Sequence, residues 1–241
     1  MPEPRRHRFL VEASQLAGDH VSFSPAQIRQ FRQVLRLKSG DTVRVFASGA
    51  THDSVAELDS DFDARLTGEQ IALVPESRIH LAVYPALVQR DRFEQILQKL
   101  TEVGAAEIHP VLTERSQVRS VDDSKADRWH SILREAAEQS MRGTAPTLAP
   151  AVPFQAAIDA TGPALSLVAH IDGSSSEPLR DVLASASTDR VALFVGPEGG
   201  FSQPEIDHAR RAGARLVYAA GPVLRTETAS PVLSALVLFT L

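Results

Sequence analysis

The sequence predicts an α/β protein in two parts, a small β-rich domain over 1–74 and a larger domain over 75–241 built on a mainly parallel sheet. Three observations predict it. Strand-like stretches separated by turn residues fill the first seventy-odd positions around a single helix. From Ile79 onward, strand-like and helix-like stretches alternate. Several of the later strands are short, continuous apolar runs, the pattern of strands covered on both faces.

The elements follow in order. "SPAQIRQFRQVLRLKSGD" reads as a helix with Ser24 as N-cap, Pro25 in the first turn and Ile28, Phe31 and Leu35 on one face. Arg29, Arg32 and Arg36 follow at i, i+3 and i+7 on another face, and Gly40 is expected to end the segment. "DTVRVFA", "HDSVAEL" and "EQIALV" read as strands of a small barrel, and Pro75 to Arg78 as a boundary. "IHLAVYPALV" is then a strand. "RDRFEQILQKLTEVG" is a helix with Asp91 as N-cap, Glu94 at the third position and Gly104 as its stop. "EIHPVLT" is a strand, and "DDSKADRWHSILREAAEQSM" a helix turning Trp129, Ile132, Leu133 and Ala136 inward. "ALSLVAHI", "RVALFVG" and "ARLVYAAG" complete the strands. "SQPEIDHARRAG" has Ser202 and Glu205 in capping-box register, and "ETASPVLSALVLFTL" closes the chain as a helix.

Composition narrows the classes. With no cysteine, disulfides and thiolate metal sites are excluded and a reducing compartment is expected. No histidine spacing matches a metal motif. No apolar run suits a signal peptide or a membrane span, so a cytoplasmic protein without membrane contact is expected. The net charge of −5 argues mildly against nucleic acid, yet residues 1–44 carry eight Lys and Arg against four acids, while 51–69 carry six acids and one Arg. A basic patch on an acidic chain fits a polyanion footprint, or simply a solvated charged face.

Two loops end strands with unusual residues. "GPEGGF" over 196–201 sets glycines around Glu198, and "GPVLRTETA" runs over 221–229. The first has neither the spacing of a dinucleotide fingerprint nor the lysine of a phosphate loop. Glycines admit close approach of a ligand to the backbone. Ligands of such sheets lie beyond the carboxyl ends of strands. The two loops are expected on neighbouring strands.

These loops also carry a resemblance. "VGPEGGFSQPEI" followed by "VLRTETA" resembles the bacterial 16S ribosomal RNA uracil-N3 methyltransferase family, within the SPOUT class of knotted methyltransferases. "RHRFL", "IRQFRQVLRLKSGD", "LQKLTEVGAAEIHPVLTERS" and "RWHSILREAAEQSMRGTAP" extend it through the chain. The resemblance implies a PUA-like β-barrel that binds RNA and a C-terminal α/β domain with a trefoil knot. It further implies a homodimer and S-adenosylmethionine as methyl donor, with the small ribosomal subunit and its 16S rRNA as partner. It does not point to DNA. It places the cofactor against His170, Gly196, Gly199, Gly200, Ala220, Leu224, Thr226 and Ala229. One departure stands out: the family reads Leu-Gly-x-Arg where this chain has Ala219, Ala220, Gly221 and Pro222.

Methylating a uracil N3 requires removal of its proton and a donor to hold charge spread over the flanking carbonyl oxygens. Arg225 suits the donor role. Glu198 or Glu227 could accept the proton. Arg8, Arg29, Arg32 and Arg36 are expected on rRNA phosphates. Two other functions compete: a non-catalytic RNA-binding or ribosome-assembly module, and a ribose 2′-O-methyltransferase of the same knotted class.

Overall fold

A computed structural model describes residues 7–171, 176–219 and 221–241. Arg5 and Arg6 of the basic segment, and Ala220, fall outside them. The chain divides into two compact units, Met1–Glu76 with Ala137–Ala145, and Ser77–Ala136 with Pro146–Leu241.

In the first unit the elements are β1 (Arg8–Leu10), β2 (Leu16–Ala17), β3 (His20–Val21), α1 (Pro25–Gln30), β4 (Thr42–Phe46), β5 (His52–Leu58) and β6 (Ala64–Ala72). The strands form a sheet in the order β1-β4-β5-β6-β3-β2, with β1 parallel to β4 and the other pairs antiparallel. Its edges, β1 and β2, do not pair, so among the described residues the expected barrel is an open sheet. Phe9, Phe23 and Phe31 stack in its core with centroids 4.7 to 6.2 Å apart.

Ser24 caps α1. Its backbone N–H donates to the Gln27 side chain at 3.0 Å, and its hydroxyl accepts from the Gln27 N–H at 3.3 Å. The helix does not run to Gly40. After Gln30 it widens into a π-helical turn, Phe31–Leu35, and Arg36 closes it at φ +55°. The regular period behind a single arginine stripe therefore ends at Gln30.

Arg8, expected on rRNA phosphate, is buried and paired within the protein. It is 7% exposed, and its Nε lies 2.9 Å from both oxygens of Asp53, which is fully buried. Its other nitrogens donate to the carbonyls of Ala137 at 2.8 Å and Arg142 at 2.6 Å, and its guanidinium lies 3.5 Å from the centre of the Phe46 ring. Arg44 sits 2.7 Å from the same carboxylate. Sequence reasoning took Arg8 as surface charge because nothing local marks Asp53 as its partner, 45 positions away. Burial pulls the Arg8 pKa below its ordinary value, against the pull of Asp53.

The second unit holds β7 (His80–Pro85), α2 (Arg90–Val103), β8 (Glu107–Ile108), β9 (Val111–Leu112), most of α3 (Asp123–Gln139), β10 (Thr147–Leu148), β11 (Val152–Pro153), α4 (Phe154–Asp159), β12 (Leu165–Ala169), β13 (Glu177–Pro178), α5 (Leu179–Ala184), β14 (Arg190–Val195), α6 (Gln203–Arg211), β15 (Arg215–Tyr218) and α7 (Thr226–Thr240). The main sheet runs β10-β8-β7-β14-β12-β15-β13, and every pairing in it is parallel. Alternate residues of β14 enter opposite layers. Val191, Leu193 and Val195 join Phe93, Leu97 and Leu233 on one side, while Ala192 and Phe194 join Phe154, Phe201 and Ile206 on the other. That explains why β14 reads as a continuous apolar run rather than an alternating one.

The start of α2 departs from expectation. Gln89, not Asp91, is its N-cap, and Asp91 lies in the first turn. Glu94 instead takes a two-pronged bond from Arg128, at 2.6 and 2.8 Å, and one from Arg90 at 3.0 Å. The bonds from Arg128 are the main cause that lowers its pKa from 4.5 to about 2. The stability this confers is whole above the unfolded value near 4.5 and is lost as pH falls toward 2. Glu94→Gln is therefore expected to be less stable than wild type at pH 6 and to lose less than wild type on acidification. Urea unfolding at pH 6 and pH 3 checks this; parallel losses in the two proteins would refute it.

Candidate active site

β14, β12 and β15 lie side by side in that order. The two unusual loops, which leave β14 at Val195 and β15 at Tyr218, are thus not on neighbouring strands: β12 separates them. The expectation failed because sequential strands often pair, whereas here β12 enters the gap. Its end carries half-buried His170, whose backbone N–H donates to the Val217 carbonyl at 2.9 Å. The loops still meet. Thr226, 4% exposed at the start of α7, donates its hydroxyl to the Gly196 carbonyl at 3.0 Å. The start of α7 therefore lies at the end of β14, two strands from β15 in the sheet. From there α7 packs against β7, β14, α2 and α5.

The first loop needs its glycines for distinct reasons. A Cβ on Gly196 would stand 3.1 Å from the ring of Phe201, which is itself buried against Phe154 at a centroid distance of 4.7 Å. Gly200 adopts φ +67° and donates its N–H to the Pro197 carbonyl at 2.8 Å, closing a tight turn. Gly199 lies under Arg115, whose Nη1 donates to the Gly199 carbonyl at 2.6 Å. Glu198 forms an ion pair with Arg92 of α2. Glu205, 2% exposed, accepts the backbone N–H groups of Ser202 and Glu114, each at 2.8 Å. The 113–119 segment and the glycine loop are thus fastened together by Arg115 and Glu205.

The second loop is more open. Gly221 takes φ +124°, a region that favours glycine. Leu224 is half-buried. Arg225 is exposed and occupies the N-cap of α7, its carbonyl accepting from Thr228 at 2.9 Å and Ala229 at 2.7 Å. Its guanidinium has no hydrogen-bond or ion-pair partner among the described residues. Ala229 packs against the core layer of α2 and α7. Glu227 has one oxygen, Oε2, buried and without a hydrogen-bond partner among the described residues.

The sequence matches the RNA methyltransferase domain family over residues 75–238. The chain belongs to that family. It is similar to the ribosomal RNA small subunit methyltransferase E of Synechocystis sp., at 30% identity over 94% of this chain and 75% of the relative. Among solved structures it is similar to a methyltransferase from Legionella pneumophila in complex with its cofactor SAM, at TM-score 0.84, 30% identity and 97% coverage of both chains. It is also similar to the ribosomal RNA small subunit methyltransferase E of Neisseria gonorrhoeae bound to S-adenosyl methionine, at TM-score 0.83, 26% identity and 96% coverage of both.

In this RNA methyltransferase family member, the fold gathers Gly196, Glu198, Gly199, Gly200, Arg225, Thr226 and Glu227 through the bond between Thr226 and Gly196. The Thr226 hydroxyl holds the two loops together through that bond. Arg29, Arg32 and Arg36 belong to the first unit and are exposed, with Arg32 lying 4.8 Å from the centre of the Phe62 ring. Sequence reasoning missed Arg92 and Arg115. "TERS" carried a signal for Arg115, but no role could be given to it before its contact with Gly199 was seen. Arg92 had no signal beyond its place in the first turn of α2.

Proposed function

We propose that this chain transfers a methyl group from S-adenosylmethionine to N3 of a uridine in the 16S rRNA of the small ribosomal subunit. The observation that carries this reading is the pair of loops joined by Thr226 and Gly196, one bare of side chains, the other presenting an unpartnered guanidinium. Gly196, Gly199 and Gly200 leave the backbone of this loop uncovered by side chains of its own, which suits a closely held cofactor. His170, Leu224 and Ala229 stand around the same strand ends, with Ala220 in the adjoining stretch. When bound, S-adenosylmethionine supplies a methyl group activated on a sulfonium.

The chain's own residues do the rest. Arg225 holds the negative charge that grows on the uracil carbonyl oxygens, and Glu198 or Glu227 takes the N3 proton. The target base must leave any Watson–Crick pair first, since pairing occupies N3. The first unit acts as a PUA-like RNA-binding domain whose Arg29, Arg32 and Arg36 face phosphates. The C-terminal domain is read as trefoil-knotted, and the working form is a cytoplasmic homodimer.

The test is methyl transfer from labelled S-adenosylmethionine to small subunits that lack the modification, followed by nucleoside analysis. Label in N3-methyluridine is expected. Label in 2′-O-methylribose would replace the reading with a ribose methyltransferase. Absence of S-adenosylmethionine binding by calorimetry would leave an RNA-binding module.

A further inference from the structure

We infer that Glu227, not Glu198, accepts the N3 proton, and that Arg92 is a positioning residue that holds Glu198 to the glycine loop. The inference rests on the uracil-N3 reading above. By type, either glutamate could serve, and both lie at the joined loops. Their surroundings differ.

Glu198 is occupied. Its Oε1 forms a close ion pair with Arg92 Nη1, both side chains being 40% exposed. One of its two oxygens is thus already engaged by a guanidinium. The pair sits one residue before Gly199, whose carbonyl is held by Arg115. Two arginines from separate elements, the first turn of α2 and the 113–119 segment, therefore grip consecutive residues of one loop. That arrangement sets the loop's shape.

Glu227 is open. Its Oε2 is shielded from solvent and has no hydrogen-bond partner among the described residues. A buried polar atom left unmatched costs roughly 1–3 kcal/mol, so it is retained where something else completes it. Two residues away stands Arg225, likewise without a side-chain partner. An unengaged acceptor and an unengaged cation, two positions apart at one helix start, are what a base with an acidic N–H between two carbonyls requires. In the step, the N3–H bond breaks and its proton goes to the Glu227 carboxylate. N3 uses the remaining electron pair to bond the methyl carbon, while the pair of the broken carbon–sulfur bond stays on the donor's sulfur as a neutral thioether.

Glu227→Gln, Glu198→Gln and Arg92→Gln are compared for kcat on small subunits at saturating S-adenosylmethionine, and for its affinity by calorimetry. Glu227→Gln is expected to lower kcat about 10²–10⁴-fold, the usual weight of a general base, while cofactor affinity stays within about threefold of wild type. Glu198→Gln and Arg92→Gln are expected to weaken cofactor binding alike, and their double variant to match either single one, as partners of one interaction do. A kcat for Glu227→Gln within about threefold of wild type would overturn the assignment, as would an equal loss of cofactor affinity or a larger kcat loss in Glu198→Gln. Multiplying effects of Arg92→Gln and Glu198→Gln would overturn the positioning role. Should Glu227→Gln fail to fold in a urea melt, Glu227→Asp decides, with reduced kcat at unchanged affinity expected and unchanged kcat refuting. If wild type itself forms no N3-methyluridine, the underlying reading fails instead.

Discussion

Arg225→Ala is expected to lower methyl-transfer turnover about 10²–10³-fold at saturating cofactor and subunit, the equivalent of roughly 3–4 kcal/mol of transition-state stabilisation. The exposed guanidinium makes no hydrogen bond or ion pair with the described residues, so its removal breaks no polar bond that holds the fold. The helix N-terminus it caps is bound through its backbone carbonyl, which alanine keeps. The loss should therefore appear in kcat with little change in the urea midpoint. Lysine should not restore full activity, because an ammonium cannot present two N–H groups in one plane to neighbouring oxygens. Single-turnover transfer from labelled cofactor measures the effect. Full turnover in Arg225→Ala would remove the residue from the chemistry.

Asp53→Ala is expected to destabilise the first unit by about 3–5 kcal/mol, the cost of breaking a buried ion pair from one side. Asp53 is fully buried between Arg8 and Arg44. Its loss leaves two guanidinium groups facing each other inside the protein. Chemical unfolding followed by circular dichroism measures the shift, read on the transition of the first unit. Asp53→Asn should recover part of the loss, since the amide oxygen still accepts from Arg8 while the charge stays uncompensated. A change below about 1 kcal/mol in Asp53→Ala would mean that the cluster is solvated, and would return Arg8 to the surface.

The two arginine results show where sequence reading stops. Both Arg8 and Arg225 sit in stretches with the same resemblance to one family, and both were read as meeting the substrate. For Arg225 the structure leaves the side chain free. For Arg8 it supplies a carboxylate, carbonyls and an aromatic ring, from residues 38 to 134 positions away. No local pattern announces such partners. Similarly, the N-cap at Ser24 was legible because its partner lies within four residues, whereas the π-turn that follows was not.

By itself the sequence determined the α/β class, the order of most helices and strands, the two loops of the candidate site and the family. Those features depend on periodicity, caps and short motifs, which act over a few residues. Only the tertiary structure decided that β12 lies between the two loops, that Arg92 and Arg115 grip the first of them, that Arg8 is interior and that Glu227 keeps an unmatched oxygen. Each of these is a contact between segments far apart in the chain, set by how strands interleave in a parallel sheet. Strand order in such a sheet is a choice made by packing, and side-chain partners follow from it.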